Sequence, residues 1–311
     1  MRSVPREPFY TRFDFVGRRR LFFLLSLALL LIGLVSLAVR GLNLGVDFTS
    51  GTRVEAKVGK AFSDEEIHAL FREKGLAEPS QIARTGSGAD TTLVLRFKGA
   101  LTQAEETAVR QAIEAHFGET VQFTVSKIDP IVGRELAKKA AYTLLIAALG
   151  IVVYMTVRFE YRMAVSAIVS ILNVVVTLIG IIAFLQIEVD VTFVTALLTI
   201  VGYSINDTVI IFDRIRENVR QRNIRRQEDV EAVVNDSIRQ VFVRSVNTVA
   251  TVLFAALALL FLGGEGLFLF SLTLSIGLVL GAYSSIFTAA QLWVEWREWD
   301  LRRKKATASG A

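Results

Sequence analysis

VGYSINDTVIIFDRIREN, residues Val201–Asn218, reads as the second half of a membrane-crossing helix that carries a carboxylate where lipid disfavours one. Tyr203, Ser204, Asn206, Asp207 and Thr208 all fall inside it. An acidic group at bilayer depth costs at least ~3 kcal/mol on insertion scales, so its surroundings must offset that penalty. On a helix Tyr203 and Asp207 share a face at i, i+4, and Ser204 stands three residues from the Asp. Asp207 lies about two turns inside Arg214, ~10 Å at ~1.5 Å per residue. That is too deep for so short a side chain to reach water by stretching.

The rest of the chain supports a membrane setting. Its 311 residues are 52% hydrophobic with a net charge of +5 and a mean hydropathy of +0.48, and the apolar residues collect in runs of about 20, the length that crosses ~30 Å of hydrocarbon. Six spans are expected, at Leu21–Val39, Ala140–Val157, Met163–Leu185, Val191–Phe212, Val241–Leu262 and Leu267–Thr288. Arginine and lysine sort with alternate connections. They fill the leader (Arg2, Arg6, Arg12, Arg18, Arg19, Arg20), RFEYR (Arg158, Arg162), the segment after span four (Arg214, Arg216, Arg220, Arg222, Arg225, Arg226, Arg239) and the tail (Arg297, Arg302, Arg303, Lys304, Lys305), whereas QIEVD and GGEG have none. This asymmetry places both termini in the cytoplasm. The expected layout is a cytoplasmic segment 1–20, a first helix 21–39, an extracytoplasmic domain 40–134, five further helices within 135–296 with a basic cytoplasmic loop 214–240, and a basic cytoplasmic tail 297–311. Trp293, Trp296 and Trp299 suit an interfacial belt. A cleaved leader is the lesser reading of span one, because its apolar run exceeds a signal-peptide core. The basic residues flank spans, which argues against nucleic acid as a partner, and the absence of cysteine excludes disulfide and thiol chemistry.

Residues 40–134 alternate strand and helix signals. TRVEAKV (Thr52–Val58) has period two; SDEEIHALFREKG opens on a Ser63/Glu66 capping box and closes on Gly75. SQIART and TTLVLRF read as a hairpin around GSGAD, Thr102 and Glu105 cap a helix running to His116, and TVQFTVSKI supplies a last strand. The order βαββαβ predicts a small ferredoxin-like α+β domain between helices one and two of a polytopic α-helical membrane protein.

Span five carries a polar stripe, Arg244, Asn247, Thr248 and Thr251. Arg244 is either a snorkelling interface residue or a partner for Asp207. A carboxylate and a guanidinium whose separation varies are the elements of a proton relay, since burial disfavours an ionised carboxylate and a nearby cation favours it. Asp213, beside Arg214 and Arg216, is expected to form solvated pairs with them. Ser271, Ser275, Gly277, Gly281 and Ser285 in span six read as close helix packing. Enzyme readings are weak. His68 and His116 both fall in the 40–134 region as ordinary surface residues, Asp207 has no second carboxylate for an aspartyl protease, and no P-loop is present. No cofactor or metal is expected. A complete small-molecule exporter would need a second half bundle, and a passive scaffold would leave Asp207 without a task.

GLNLGVDFTSGT (Gly41–Thr52), VGYSINDTVIIFDRIREN, GGEGLFLFSLTLSIGLVLGAYSSIFTA (Gly263–Ala289) and the leader FDFVGRRR together resemble the SecD/SecF family of protein-export membrane proteins, in the manner of its SecF members, over essentially the whole chain. The resemblance implies a resistance-nodulation-division-type half bundle that pairs with SecD and uses the proton-motive force to help the SecYEG channel move preproteins across the bacterial inner membrane after the ATP-driven step. Asp207 then matches the family's membrane aspartate and Arg244 its fifth-span arginine, with Tyr203, Ser204, Asn206, Thr208, Asn247 and Thr248 in support, and Gly45, Asp47, Phe48 and Gly51 belong to the motif after the first span. Two departures stand out. Ser245 replaces a threonine after the arginine, and Ser50 occupies a position where glycine is common, which argues against a strict need for positive φ there.

Overall fold

The computed structural model describes residues 9–86, 88–118, 121–222, 224 and 226–309. Arg2, Arg6, Arg225 and Ser87 of the GSGAD turn lie outside them, as do the side chains of Arg12, Lys304 and Lys305. The chain divides into two compact units, one of residues 44–143 and one of residues 1–43 with 144–311. Six helices are long and apolar enough to cross a membrane.

In chain order, a single turn α1 (Phe9–Arg12) precedes the first span α2 (Arg19–Arg40), and a four-residue α3 (Val46–Thr49) leads into strand β1 (Gly51–Lys57). Helix α4 (Asp64–Glu73), strands β2 (Gln81–Thr85) and β3 (Thr92–Phe97), helix α5 (Gln103–Phe117) and strand β4 (Gln122–Ile128) complete the smaller unit. The sheet is antiparallel in the order β2-β3-β1-β4, the ferredoxin-like arrangement that the βαββαβ order predicts. Both capping boxes form. Ser63 Oγ accepts from the Glu66 amide, and Thr102 Oγ1 from that of Glu105. They define α4 and α5, whose Ile67, Phe71, Val109, Ile113 and Phe117 pack on Val54, Ala56, Leu93, Leu95 and Phe97. Every second residue of β1 and β3 thus enters one core, as a period of two requires.

Helix α6 (Pro130–Arg158) starts ten residues before the expected second span and passes through position 134 without a break. Helices α7 (Tyr161–Leu185), α8 (Val191–Gln221) and α9 (Gln227–Leu262) follow. The last two extend well beyond their apolar windows, so most of the expected loop 214–240 is helical. Helix α10 (Glu265–Ser284) and α11 (Ala290–Ser309) make one rod through a π-helical turn at Ser285–Ala289. Hydropathy sees only the segment that lipid contacts, whereas the helices continue as long as polar faces and ion pairs support them.

Those pairs gather at one end of the bundle. Arg19 reaches Glu231 on α9 at 2.6 Å and Glu295 and Glu298 on α11 at 2.6 and 3.0 Å. Asn235 Oδ1 accepts from the amides of Phe15 and Val16, which sink into a core with Met155, Phe212, Ile238 and Trp293. Trp293 is therefore not part of an interfacial belt. It is 1% exposed and donates its indole N–H to Glu160 at 2.8 Å. Trp299 stays exposed. Asp213 also finds a different partner from the one expected. Arg158 on α6 grips both its oxygens at 2.9 Å, while Arg214 turns to Glu217.

Candidate functional site

Asp190 caps α8 by accepting from the Thr192 and Phe193 amides, which fixes where the helix begins and hence which way its later turns face. Ser204, Asp207 and Thr208 are turned inward, with Asp207 only 5% exposed. Tyr203 is half-buried, packed against a cluster that includes Ile200, Leu274 and Leu278. Asn206, one residue and ~100° away from Asp207, points out of the bundle.

Two glycines of α10 bring that helix onto α8. A side chain at Gly277 would collide with Ile200, and one at Gly281 would press on Ser204. Close packing is thus the role of these glycines, as their spacing suggests. Ser285, one turn further on, has a polar task. Its Oγ lies 2.9 Å from Thr208 Oγ1 and 3.2 Å from the Ser204 carbonyl, and it faces the Asp207 carboxylate together with Ser245 of α9. Among the described residues, Asp207 Oδ2, Ser204 Oγ and Ser245 Oγ have no hydrogen-bond partner. A buried acid with one unpartnered oxygen of its own and two unpartnered serine hydroxyls on its own and the adjoining helix is unusual, because such atoms are normally satisfied.

The stripe on α9 divides. Ser245 is buried, whereas Arg244 and Asn247 are exposed, Thr248 is half-buried and Thr251 is exposed. The α9 residue that meets Asp207 is therefore Ser245 and not Arg244. Neighbouring positions on a helix cannot share a face, and packing selects the smaller, uncharged one for the interior. Thr248 Oγ1 is occupied by the Arg244 carbonyl at 2.9 Å. Ser245 and Ser285 are only weakly marked in the sequence. Their signal was available in the hydroxyl residues of spans five and six, but small residues at those spacings fit close packing equally well.

Gly45, Asp47, Phe48 and Gly51 belong to the other unit. Gly45 opens α3, its carbonyl accepting from the Phe48 and Thr49 amides. Gly51 has φ +123, and a Cβ there would lie 2.3 Å from the Phe97 carbonyl oxygen. Only glycine lets β1 start so close to β3. Ser50 has φ 65, so the position does take a positive φ and the serine adopts it. His68 and His116 also lie in this unit, beside Glu78 and Glu66. No group of three metal-ligating side chains occurs among the described residues.

A six-span helical bundle with a buried carboxylate in span four and a ferredoxin-like unit inserted after span one defines a polytopic membrane protein of transport type. The chain belongs to the SecD/SecF family: it matches the family models described as "Protein export membrane protein SecD/SecF, C-terminal" over residues 108–299 and "SecD/SecF GG Motif" over residues 35–61. It is 41% identical over 297 residues to the protein translocase subunit SecF of Alicyclobacillus acidocaldarius, covering 95% of this chain and 96% of that protein. It is 38% identical over 304 residues to the protein translocase subunit SecDF of Bacillus subtilis, covering 98% of this chain but only 41% of that protein. The crystal structure of SecDF from Thermus thermophilus, a translocon-associated membrane protein, superposes with a TM-score of 0.82 at 31% identity, covering 92% of this chain and 38% of that one.

Proposed function

We propose that the chain is the SecF-type half of a protein-export complex, which pairs with SecD and uses proton movement to promote preprotein passage through the SecYEG channel after ATP-driven insertion. The observation that carries this reading is Asp207, buried in a membrane-spanning helix with an unpartnered oxygen. Intramembrane acids of this kind mark ion pathways. Moving one proton through the membrane potential yields ~2.3 kcal/mol per 100 mV, enough to bias a conformational equilibrium severalfold. The chain itself performs no covalent chemistry in this scheme.

The exposed polar residues support a missing half. Asn206 on α8 and Arg244 and Asn247 on α9 face outward from helices long and apolar enough to cross a membrane, and lipid offers no hydrogen bonds. The part of the Bacillus subtilis SecDF that this chain does not cover is the natural source of a partner surface. Arg244 then acts across that interface, supported by Asn247 and Thr248, while Tyr203, Ser204, Asn206 and Thr208 shape the acid's surroundings. In this reading, which the basic segments support, both termini lie in the cytoplasm and residues 40–134 outside the inner membrane, where the Asp47 motif and the ferredoxin-like unit pass movement to the emerging preprotein.

Asp207→Asn is expected to leave assembly with SecD intact and to abolish the proton-gradient-dependent stage of export in membrane vesicles. Normal gradient-dependent export by that variant would overturn the reading. Arg244→Leu separates the roles of that residue: loss of export with an intact complex assigns it to coupling, and unchanged export assigns it to the membrane surface.

A further inference from the structure

The rod from Glu265 to Ser309 is α-helical except for the π turn at Ser285–Ala289. A π turn replaces the usual i to i−4 bonding with i to i−5, a geometry that is rare and concentrated at functional sites. The local sequence SIFTA contains no proline or glycine to impose it. Buried side chains of two neighbouring helices and of the rod itself hold it. Ser284 Oγ and Ser170 Oγ on α7 share a hydrogen bond of 2.6 Å, Thr288 Oγ1 and Ser26 Oγ on α2 share one of 3.1 Å, and Gln291 Nε2 donates to the Ile286 carbonyl at 3.3 Å.

A third side faces Asp207. The Ser204 carbonyl, Thr208 Oγ1 and Ser285 Oγ make three mutual contacts of 2.9 to 3.2 Å with only two hydroxyl protons among them. Asp207 Oδ2 has no hydrogen-bond partner, and two hydroxyls face its carboxylate: that of Ser245, which has no other partner, and that of Ser285, which also belongs to the triangle. An ionised carboxylate accepts hydrogen bonds only, whereas a protonated one brings a donor of its own. Ionisation of Asp207 therefore draws on both hydroxyls: Ser245 gives up no other partner, whereas Ser285 leaves the triangle, and protonation returns it. Ser285 is the first residue of the π turn, so its change of partner acts on the least regular backbone in the rod. Downstream on α11, Glu295 and Glu298 are held by Arg19.

We propose that Ser285 is the positioning residue of the Asp207 site and that the π turn it opens passes the protonation state of Asp207 on to α11. The proposal deepens the proton-coupling reading and rests on it, yet its test requires no transport. Amide hydrogen exchange over residues 285–291 is compared in the full-length protein and in Asp207→Asn, which fixes position 207 uncharged. The two are expected to differ by about threefold or more in exchange rate. That difference persists with Ser285→Thr, which keeps a hydroxyl, and disappears with Ser285→Ala. Should Ser285→Ala fail to fold, Ser285→Cys, nearly the same shape with a weak donor, is expected to reduce the difference by half or more. Equal exchange in the parent and Asp207→Asn, or a difference that survives loss of the hydroxyl, overturns the proposal. Gradient-dependent export that survives Asp207→Asn would instead count against the proton reading alone.

Discussion

At the residue scale, Ser50 occupies φ 65 and ψ 166, a region essentially reserved for glycine and costing other residues on the order of 1–3 kcal/mol. It is held there because its amide donates to the Val46 carbonyl at 2.8 Å to close α3, while Gly51 must turn at once into β1. Ser50→Gly is expected to stabilise the ferredoxin-like unit by about 1 kcal/mol, seen as a higher denaturant midpoint for that unit. Gly51→Ala works in the opposite direction. It combines a disfavoured φ with a collision against the Phe97 carbonyl and is expected to cost well over ~1 kcal/mol. The same denaturation experiment reads both, and a Ser50→Gly protein no more stable than the parent would show that α3 imposes no strain.

At the scale of elements, the membrane bundle is fixed by where helices approach most closely. Gly180 on α7 lies against Gly33 on α2, so that a Cβ at position 180 would sit 2.2 Å from the Gly33 Cα. The contact is backbone against backbone and has no flexible side chain to yield. Gly180→Ala is expected to push α2 away at a cost of ~1–3 kcal/mol, measurable as a lower midpoint in detergent-induced unfolding. Changing exposed Leu172 on the same helix to Ala removes no packed neighbour and serves as the control. The Gly281 contact with Ser204 has a more direct bearing on function, since it sets the distance between α10 and the helix that carries Asp207.

For the whole molecule, the response to acid is concentrated in paired carboxylates, and five of them lie in the ferredoxin-like unit. In the ferredoxin-like unit, the His116 imidazole holds the Glu66 carboxyl below its usual range, Arg72 does so for Glu78, Lys57 for Asp90, the Thr102 amide for Glu105 and Lys127 for Glu106. A carboxylate depressed in the folded state contributes stability above its unfolded pKa and loses it as pH falls through the folded value. The reference values here are 3.8 and 4.5. The unit is thus expected to keep its stability down to about pH 5 and to lose it progressively below that, seen calorimetrically as a falling transition temperature. A transition unchanged between neutral and strongly acidic pH would mean that these pairs contribute nothing, as exposed ion pairs sometimes do.

The sequence by itself determined whatever depends on neighbours along the chain. Six apolar runs, two capping boxes, period-two strands and the alternation of arginine-rich connections were all legible, because hydropathy, capping and alternation act over a few residues. Asp207 was legible for the same reason: a carboxylate in an apolar run is costly wherever the helix points. Only the tertiary structure decided what each polar residue faces. It turned Ser245 inward and Arg244 outward, buried Trp293 against Glu160, gave Asp213 to Arg158 and placed Ser285 of a π turn beside Asp207. Those outcomes depend on which helices become neighbours and on rotations of ~100° per residue, and no local pattern specifies them.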